Sequence, residues 1–167
     1  MWAFYPFWRW KMAKFIHVVD RVLSTVCIVL MVSLVVCVVW QVFSRYVLGA
    51  PSTSTDELAR FLFIWVGLLG AAFTLGKKKH LAMDFLSQTL EGRKQVFLQI
   101  LITSIGLFFA VVIMLFGGGS LVMKTLSNGQ VSPVLGLEMG WVYSAIPISG
   151  ACMILYLLRD LFAPTQD

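Results

Sequence analysis

Four stretches of this chain contain no charged residue: 22–44, 61–76, 96–123 and 139–158. Apolar side chains run through each without the two-residue alternation of a barrel strand. A helix that crosses a bilayer needs about 20 such residues. The first and fourth stretches meet that length directly. The third exceeds it, so its helix is expected to tilt or project from the bilayer. The second is short, and its helix is expected to begin earlier. Ser54, Thr55, Asp56 and Glu57 have the form of a capping box, in which the Ser54 oxygen takes the Glu57 amide and Glu57 reaches back to Ser54. In hydrocarbon only a helix or a closed barrel satisfies its own backbone. The pattern therefore predicts an all-α integral membrane fold of four tilted transmembrane helices.

One domain, 1–167, accommodates this pattern. It divides into an aromatic and basic segment (1–21), spans at 22–46, 55–76, 93–123 and 139–159, and loops at 77–92 and 124–138. Composition agrees: 59% of the 167 residues are hydrophobic and 13% charged, too few charges to cover a soluble domain of this size. The net charge of +5 falls in short clusters between apolar runs, which argues against nucleic acid as the partner.

The placement of those charges predicts orientation. Arg9, Lys11, Lys14, Arg21, Lys77, Lys78, Lys79, Arg93, Lys94 and Arg159 would lie on one side, and only Arg45, Arg60 and Lys124 on the other. The richer side belongs in the cytoplasm, with both termini there. Arg9, Lys11 and Lys14 precede an apolar run too long for a signal peptide and lacking an A-x-A-like cleavage site. The aromatic residues from Trp2 to Trp10 favour the headgroup layer. They predict a segment lying along the cytoplasmic surface, and Leu81, Phe85 and Leu90 predict a second, as a short interfacial helix.

Gly117, Gly118 and Gly119 are expected to interrupt the third helix, and Pro147 to bend the fourth. Two small-residue spacings, Gly67 to Ala71 and Ala72 to Gly76, would let another helix approach closely.

Candidate chemistry is sparse. No Asp, Glu, Lys, Arg or His falls in the middle of a predicted span, where such groups usually mark ion or proton pathways. Cys27, Cys37 and Cys152 form no close pair in the sequence. His17 and His80 lie near predicted boundaries, away from the helix interior where a haem would sit. No nucleophile stands beside a base, so neither catalysis, a cofactor nor a metal site is expected.

The polar residues that stand out flank the spans. Asp56 and Glu57 suit the positive start of a helix, and Arg60, one turn on, can pair with Asp56. Arg45 either anchors the first span at the interface or docks a soluble partner. Lys124 ends the third span. His80 and Asp84 share a face if helical, and two ligands are too few for a metal. They suit a local hydrogen bond or a contact with a neighbouring subunit.

Three runs carry a resemblance. Residues 44–51 read Ser-Arg-Tyr-Val-Leu-Gly-Ala-Pro, 55–70 contain Asp-Glu-Leu-Ala-Arg and a Gly-rich helix, and 80–86 read His-Leu-Ala-Met-Asp-Phe-Leu. Together they resemble the small membrane subunit of tripartite ATP-independent periplasmic (TRAP) transporters, the DctQ-like family. Residues 132–137 and 145–148 are similar to its weaker second signature. One departure is Asp56-Glu57, where two glutamates are frequent; the charge is kept. The resemblance implies a non-catalytic subunit of a sodium-driven symporter for organic anions such as sialic acid or C4-dicarboxylates. It implies a large membrane subunit that moves as an elevator, and a periplasmic substrate-binding protein that delivers the anion. This subunit would scaffold the large one in the bacterial inner membrane and help dock the binding protein. Arg45, Asp56, Glu57, Arg60, His80, Asp84 and Lys124 are then the candidate docking or structural residues. The alternative reading is a small, self-sufficient homo-oligomeric transporter, which intramembrane charges would favour.

Orientation is checked by cysteine accessibility in a background lacking Cys27, Cys37 and Cys152. Lys78→Cys is expected to resist a membrane-impermeant reagent added to intact spheroplasts, and Lys124→Cys to react. Periplasmic labelling at position 78 would overturn the topology.

Overall fold

A computed structural model describes residues 5–77 and 93–162. The expected interfacial helix at Leu81, Phe85 and Leu90 lies outside them. Helix α1 spans Tyr5–Tyr46 and α2 spans Thr53–Gly76. The third span is α3 (Arg93–Phe108), a π-helical stretch (Phe109–Gly117) and α4 (Gly118–Ser127). A hairpin leads to α5 (Met139–Tyr143) and α6 (Ala145–Phe162). Four of the resulting helical segments are long and apolar enough to cross a membrane. No strand of a barrel appears among the described residues, only an isolated bridge between Val131 and Glu138.

Helix α1 is one uninterrupted rod of 42 residues, about 63 Å long at 1.5 Å per residue. Residues 5–21 of the expected aromatic and basic segment are thus continuous with the first span in one helix. After Pro6, in the first turn where a missing N–H costs nothing, no Pro or Gly interrupts the chain up to Tyr46. Its protected side carries Ile16, Asp20, Leu23, Cys27, Leu30, Leu34, Cys37, Gln41 and Ser44. Those spacings alternate between four and three, the seam of a left-handed helix pair. Most of the other described positions from Val18 to Phe43, many of them valine, are exposed, as suits lipid.

The spans pack in the order first, second, fourth, third: α1 lies on α2, α2 on α6, and α6 on α3 and the π-helical stretch. Among the described residues the spans form a row, each backbone packed closely only on its neighbours in that order. Leu23, Leu69, Ala72 and Tyr156 form the core where the first three of these meet.

The third span continues through Gly117, Gly118 and Gly119 as helix, which corrects the expected interruption. These glycines serve packing. A Cβ at Gly118 would come within 2.6 Å of the Ile146 side chain, and one at Gly150 within 2.7 Å of Met114 Cβ. Ala110, Met114 and Gly118, four apart, are all buried. The wider π turn, bonded i to i+5, keeps that spacing on one face against α6. The fourth span breaks at Ser144, between α5 and α6. Pro147 is the reason: it has no N–H for the Tyr143 carbonyl, and its ring crowds that group.

The two small-residue spacings of α2 face opposite ways. Ala72 and Gly76 are buried against α1 and α6, whereas Gly67 and Ala71 are exposed, with no atom within 4 Å of where a Gly67 Cβ would stand. The two sites should respond differently to added volume. Gly150→Val is expected to destabilise the chain by about 1–3 kcal/mol through overpacking. Gly67→Ala should be neutral, or stabilising by up to about 1 kcal/mol through helix propensity. Reversible unfolding of the isolated chain in mixed micelles reads both.

Candidate docking and assembly site

The polar residues gather at the two ends of α2. At its N-terminal end the helix starts at Thr53, and the preceding Ser52 makes no side-chain cap. Thr55 Oγ1 donates back to the Ser52 carbonyl at 3.1 Å. The capping box expected of Ser54 and Glu57 is therefore not formed, because both acidic side chains have partners outside the first turn. Asp56 accepts from Gln41 Nε2 of α1 and, at 2.8 Å, from Arg60. Glu57 accepts the backbone N–H groups of Val134 (3.1 Å) and Leu135 (2.8 Å), at the turn of the hairpin between α4 and α5.

That hairpin is closed by Ser132 N–H to the Leu137 carbonyl, Gly136 N–H to the Ser132 carbonyl and Met139 N–H to the Gln130 carbonyl. Gly136 has φ +65°, a left-handed conformation that glycine adopts without a Cβ penalty. Successive N–H groups at such a turn make a concave anion-binding nest, and Glu57 fills it.

At the C-terminal end of α2, Asp20 of α1 accepts from Lys77 Nζ (2.8 Å) and from the Tyr156 hydroxyl of α6 (2.6 Å). The Tyr156 ring reaches Asp20 by crossing Gly76, where a Cβ would stand 2.5 Å from it. Arg159 donates to the Gly76 carbonyl at 2.8 Å, placing a cation on the helix terminus that favours one. The Asp20 side chain is 13% exposed, so its charge depends on these partners.

Of the residues singled out from the sequence, the structure brings Asp56, Glu57 and Arg60 together in the first two turns of α2. The Asp56–Arg60 ion pair forms, with the Arg60 side chain 74% exposed. Arg45 and Lys124 are exposed at the ends of α1 and α4, without a side-chain hydrogen bond or ion pair among the described residues. His80 and Asp84 lie outside the described residues. Sequence reasoning missed Asp20 and Tyr156. One signal for Asp20 was available: an acid one residue before Arg21, at the edge of an apolar run and on the heptad seam. Tyr156 had only its hydroxyl in an otherwise apolar helix.

Residues 34–167 match the DctQ component of the tripartite ATP-independent periplasmic transporters. The chain belongs to the DctQ family. The sialic acid TRAP transporter small permease protein SiaQ of Vibrio cholerae is 24% identical over 150 residues, covering 87% of this chain and 82% of its own. The C4-dicarboxylate TRAP transporter small permease protein DctQ of Rhodobacter capsulatus is 31% identical over 107 residues, 64% of this chain and 47% of its own. The sialic acid TRAP transporter permease protein SiaT of Haemophilus influenzae is 26% identical over 119 residues. There the match covers 71% of this chain but only 19% of a far longer one. This DctQ component is thus part of a TRAP transporter, not an enzyme, and a multi-pass protein of the bacterial inner membrane.

The polar ties at the two ends of α2 differ in what they contribute. Tyr156→Phe removes a hydrogen bond to a protected carboxylate and is expected to destabilise by about 1–3 kcal/mol. Arg60→Ala removes an exposed ion pair and is expected to cost less than about 1 kcal/mol. Thermal unfolding in detergent, followed by helical circular dichroism, ranks the two.

Proposed function

We propose that this chain is the stationary, non-catalytic small subunit of a sodium-driven TRAP transporter for organic anions. It scaffolds the large membrane subunit, lies with both termini in the cytoplasm, and helps the periplasmic substrate-binding protein to dock. The observation that carries this reading is the row of spans. Among the described residues four helices pack side by side in the order first, second, fourth, third, an arrangement that does not by itself surround a passage for an anion. The Asp, Glu, Lys, Arg and His residues of the described spans stand near their ends, among them Asp20, Arg21, Arg45, Asp56, Glu57, Arg60, Lys124 and Arg159, and offer no relay across the middle. A brace needs no such relay. The SiaT relative, in which the matched region is a fifth of a longer permease, supports a membrane partner for this chain.

Substrate choice is assigned to the partners. Relatives of similar identity are named for sialic acid, isethionate and C4-dicarboxylate, so likeness to this chain does not sort by substrate. With the richer basic side in the cytoplasm, the N-terminal end of α2 and the hairpin face the periplasm. Arg45 and Lys124, without a side-chain partner among the described residues, offer positive charge there to a soluble protein.

Reconstitution tests the scaffold. In liposomes with an inward sodium gradient, a candidate organic anion and its binding protein, the isolated chain is expected to give no uptake above protein-free vesicles. Adding the large subunit is expected to restore it. Uptake by the isolated chain would support a self-sufficient transporter instead.

A further inference from the structure

Two carboxylates stand side by side in the first turn of α2, and they hold different things. Asp56 is engaged sideways, by Gln41 of α1 and Arg60 of its own helix. Glu57 is engaged by backbone alone, at Val134 and Leu135. The hairpin's own hydrogen bonds close it on itself and on the end of α4. Among the described residues, Glu57 makes the only hydrogen bonds that fasten it to α2. Bonds to an ionised acceptor are about twice as strong as neutral ones, which suits a loop held by one side chain.

Held in this way, the hairpin leaves Val131, Val134 and Leu137 exposed. The uncommitted charge at this end of the molecule is positive. Lys124 at the hairpin's foot and Arg45 have no side-chain partner among the described residues. The acids are occupied: Asp56 and Glu57 as above, and Glu138 by the Trp141 indole N–H at 3.1 Å.

We propose that Glu57 is the positioning residue of a docking hairpin, and that the hairpin receives a soluble periplasmic binding component with an apolar patch rimmed by acidic residues. The proposal rests on the transporter-subunit reading above and names the element and the residue that serve it. Apolar contact at Val131, Val134 and Leu137 supplies burial at the centre of the patch. Positive charge at Lys124, at the hairpin's foot, sets orientation and on-rate. A hairpin released from Glu57 would have to be ordered at every encounter, and that entropy would be lost from the affinity. Glu57 therefore acts on docking, and the transport step that follows is unaffected.

The test uses the complete transporter in proteoliposomes, with uptake measured against binding-protein concentration. Glu57→Ala is expected to raise the half-saturating concentration about tenfold. The maximal rate should be unchanged and the large subunit should still copurify. Glu57→Gln keeps an oxygen acceptor and should fall between, at about threefold. Hydrogen exchange at the Val134 and Leu135 amides should quicken in Glu57→Ala. Val134→Asp keeps the N–H that Glu57 holds and should raise half-saturation on its own account, by placing negative charge in the patch.

If Val134→Asp leaves half-saturation unchanged while Arg45→Glu raises it, the binding protein docks elsewhere. The hairpin proposal then fails and the docking reading stands. Uptake that needs no binding protein at all would refute the docking reading itself. A fall in maximal rate at fixed half-saturation in Glu57→Ala would make the carboxylate a structural brace and overturn its positioning role. Loss of copurification in Glu57→Ala, with Val134→Asp behaving as wild type, would do the same. A fluorophore on Val134→Cys that is quenched by lipid-borne quenchers would seat the tip in the bilayer and overturn the soluble partner.

Discussion

In lipid, packing one leucine against another gains little, because the acyl chains it displaces are as apolar as the leucine. Helices must be joined by close backbone approach and by hydrogen bonds between spans. In this chain both devices meet at one contact, where Tyr156 crosses Gly76 to reach Asp20. The glycine removes the side chain that would block the crossing, and the hydroxyl ends on a carboxylate already held by Lys77. Three of the four spans are joined there, since Asp20 is on α1, Gly76 on α2 and Tyr156 on α6. The remaining span depends on the same principle, with Gly150 and Gly118 allowing α6 against the third span.

Helix α2 is consequently fastened at both ends, by Gln41, Val134 and Leu135 at one and by Asp20 and Arg159 at the other. Its middle is left to apolar packing on α1 and α6, while Gly67 and Ala71 stay open on the outside. A helix tied at its termini resists sliding along its axis. The proposed role as a brace beside the large subunit would draw on that resistance.

The acidic pair of α2 shows why a motif and its role come apart. Asp56 and Glu57 occupy the first turn, where the helix dipole favours negative charge. Local chemistry alone would spend them on capping that turn. Each instead spends its hydrogen bonds elsewhere: Asp56 reaches Gln41, fifteen residues away, and Glu57 reaches backbone 77 and 78 residues away. Two adjacent N–H groups at the hairpin turn hold Glu57, while Thr55 only donates back to the Ser52 carbonyl and the helix start carries no side-chain cap from Ser52.

The four spans, the all-helical class and the gathering of charge at span ends were legible in the sequence. Hydrocarbon leaves a backbone no alternative to satisfying itself locally, so apolar length alone is enough to call the element. The effect of Pro147 was legible for the same reason, since a missing N–H acts on its own helix. The glycines at 117–119 were misread because a local rule, that glycine weakens helices, was outweighed by the close contact Gly118 allows with Ile146. The order of the row, the direction in which each small-residue pair faces, and the partners of Asp20 and Glu57 came only with the tertiary structure. Tyr156 and Asp20 are 136 residues apart. No periodicity in a single helix encodes which distant group will stand opposite it; that is decided when the spans pack and each protected charge must find a partner.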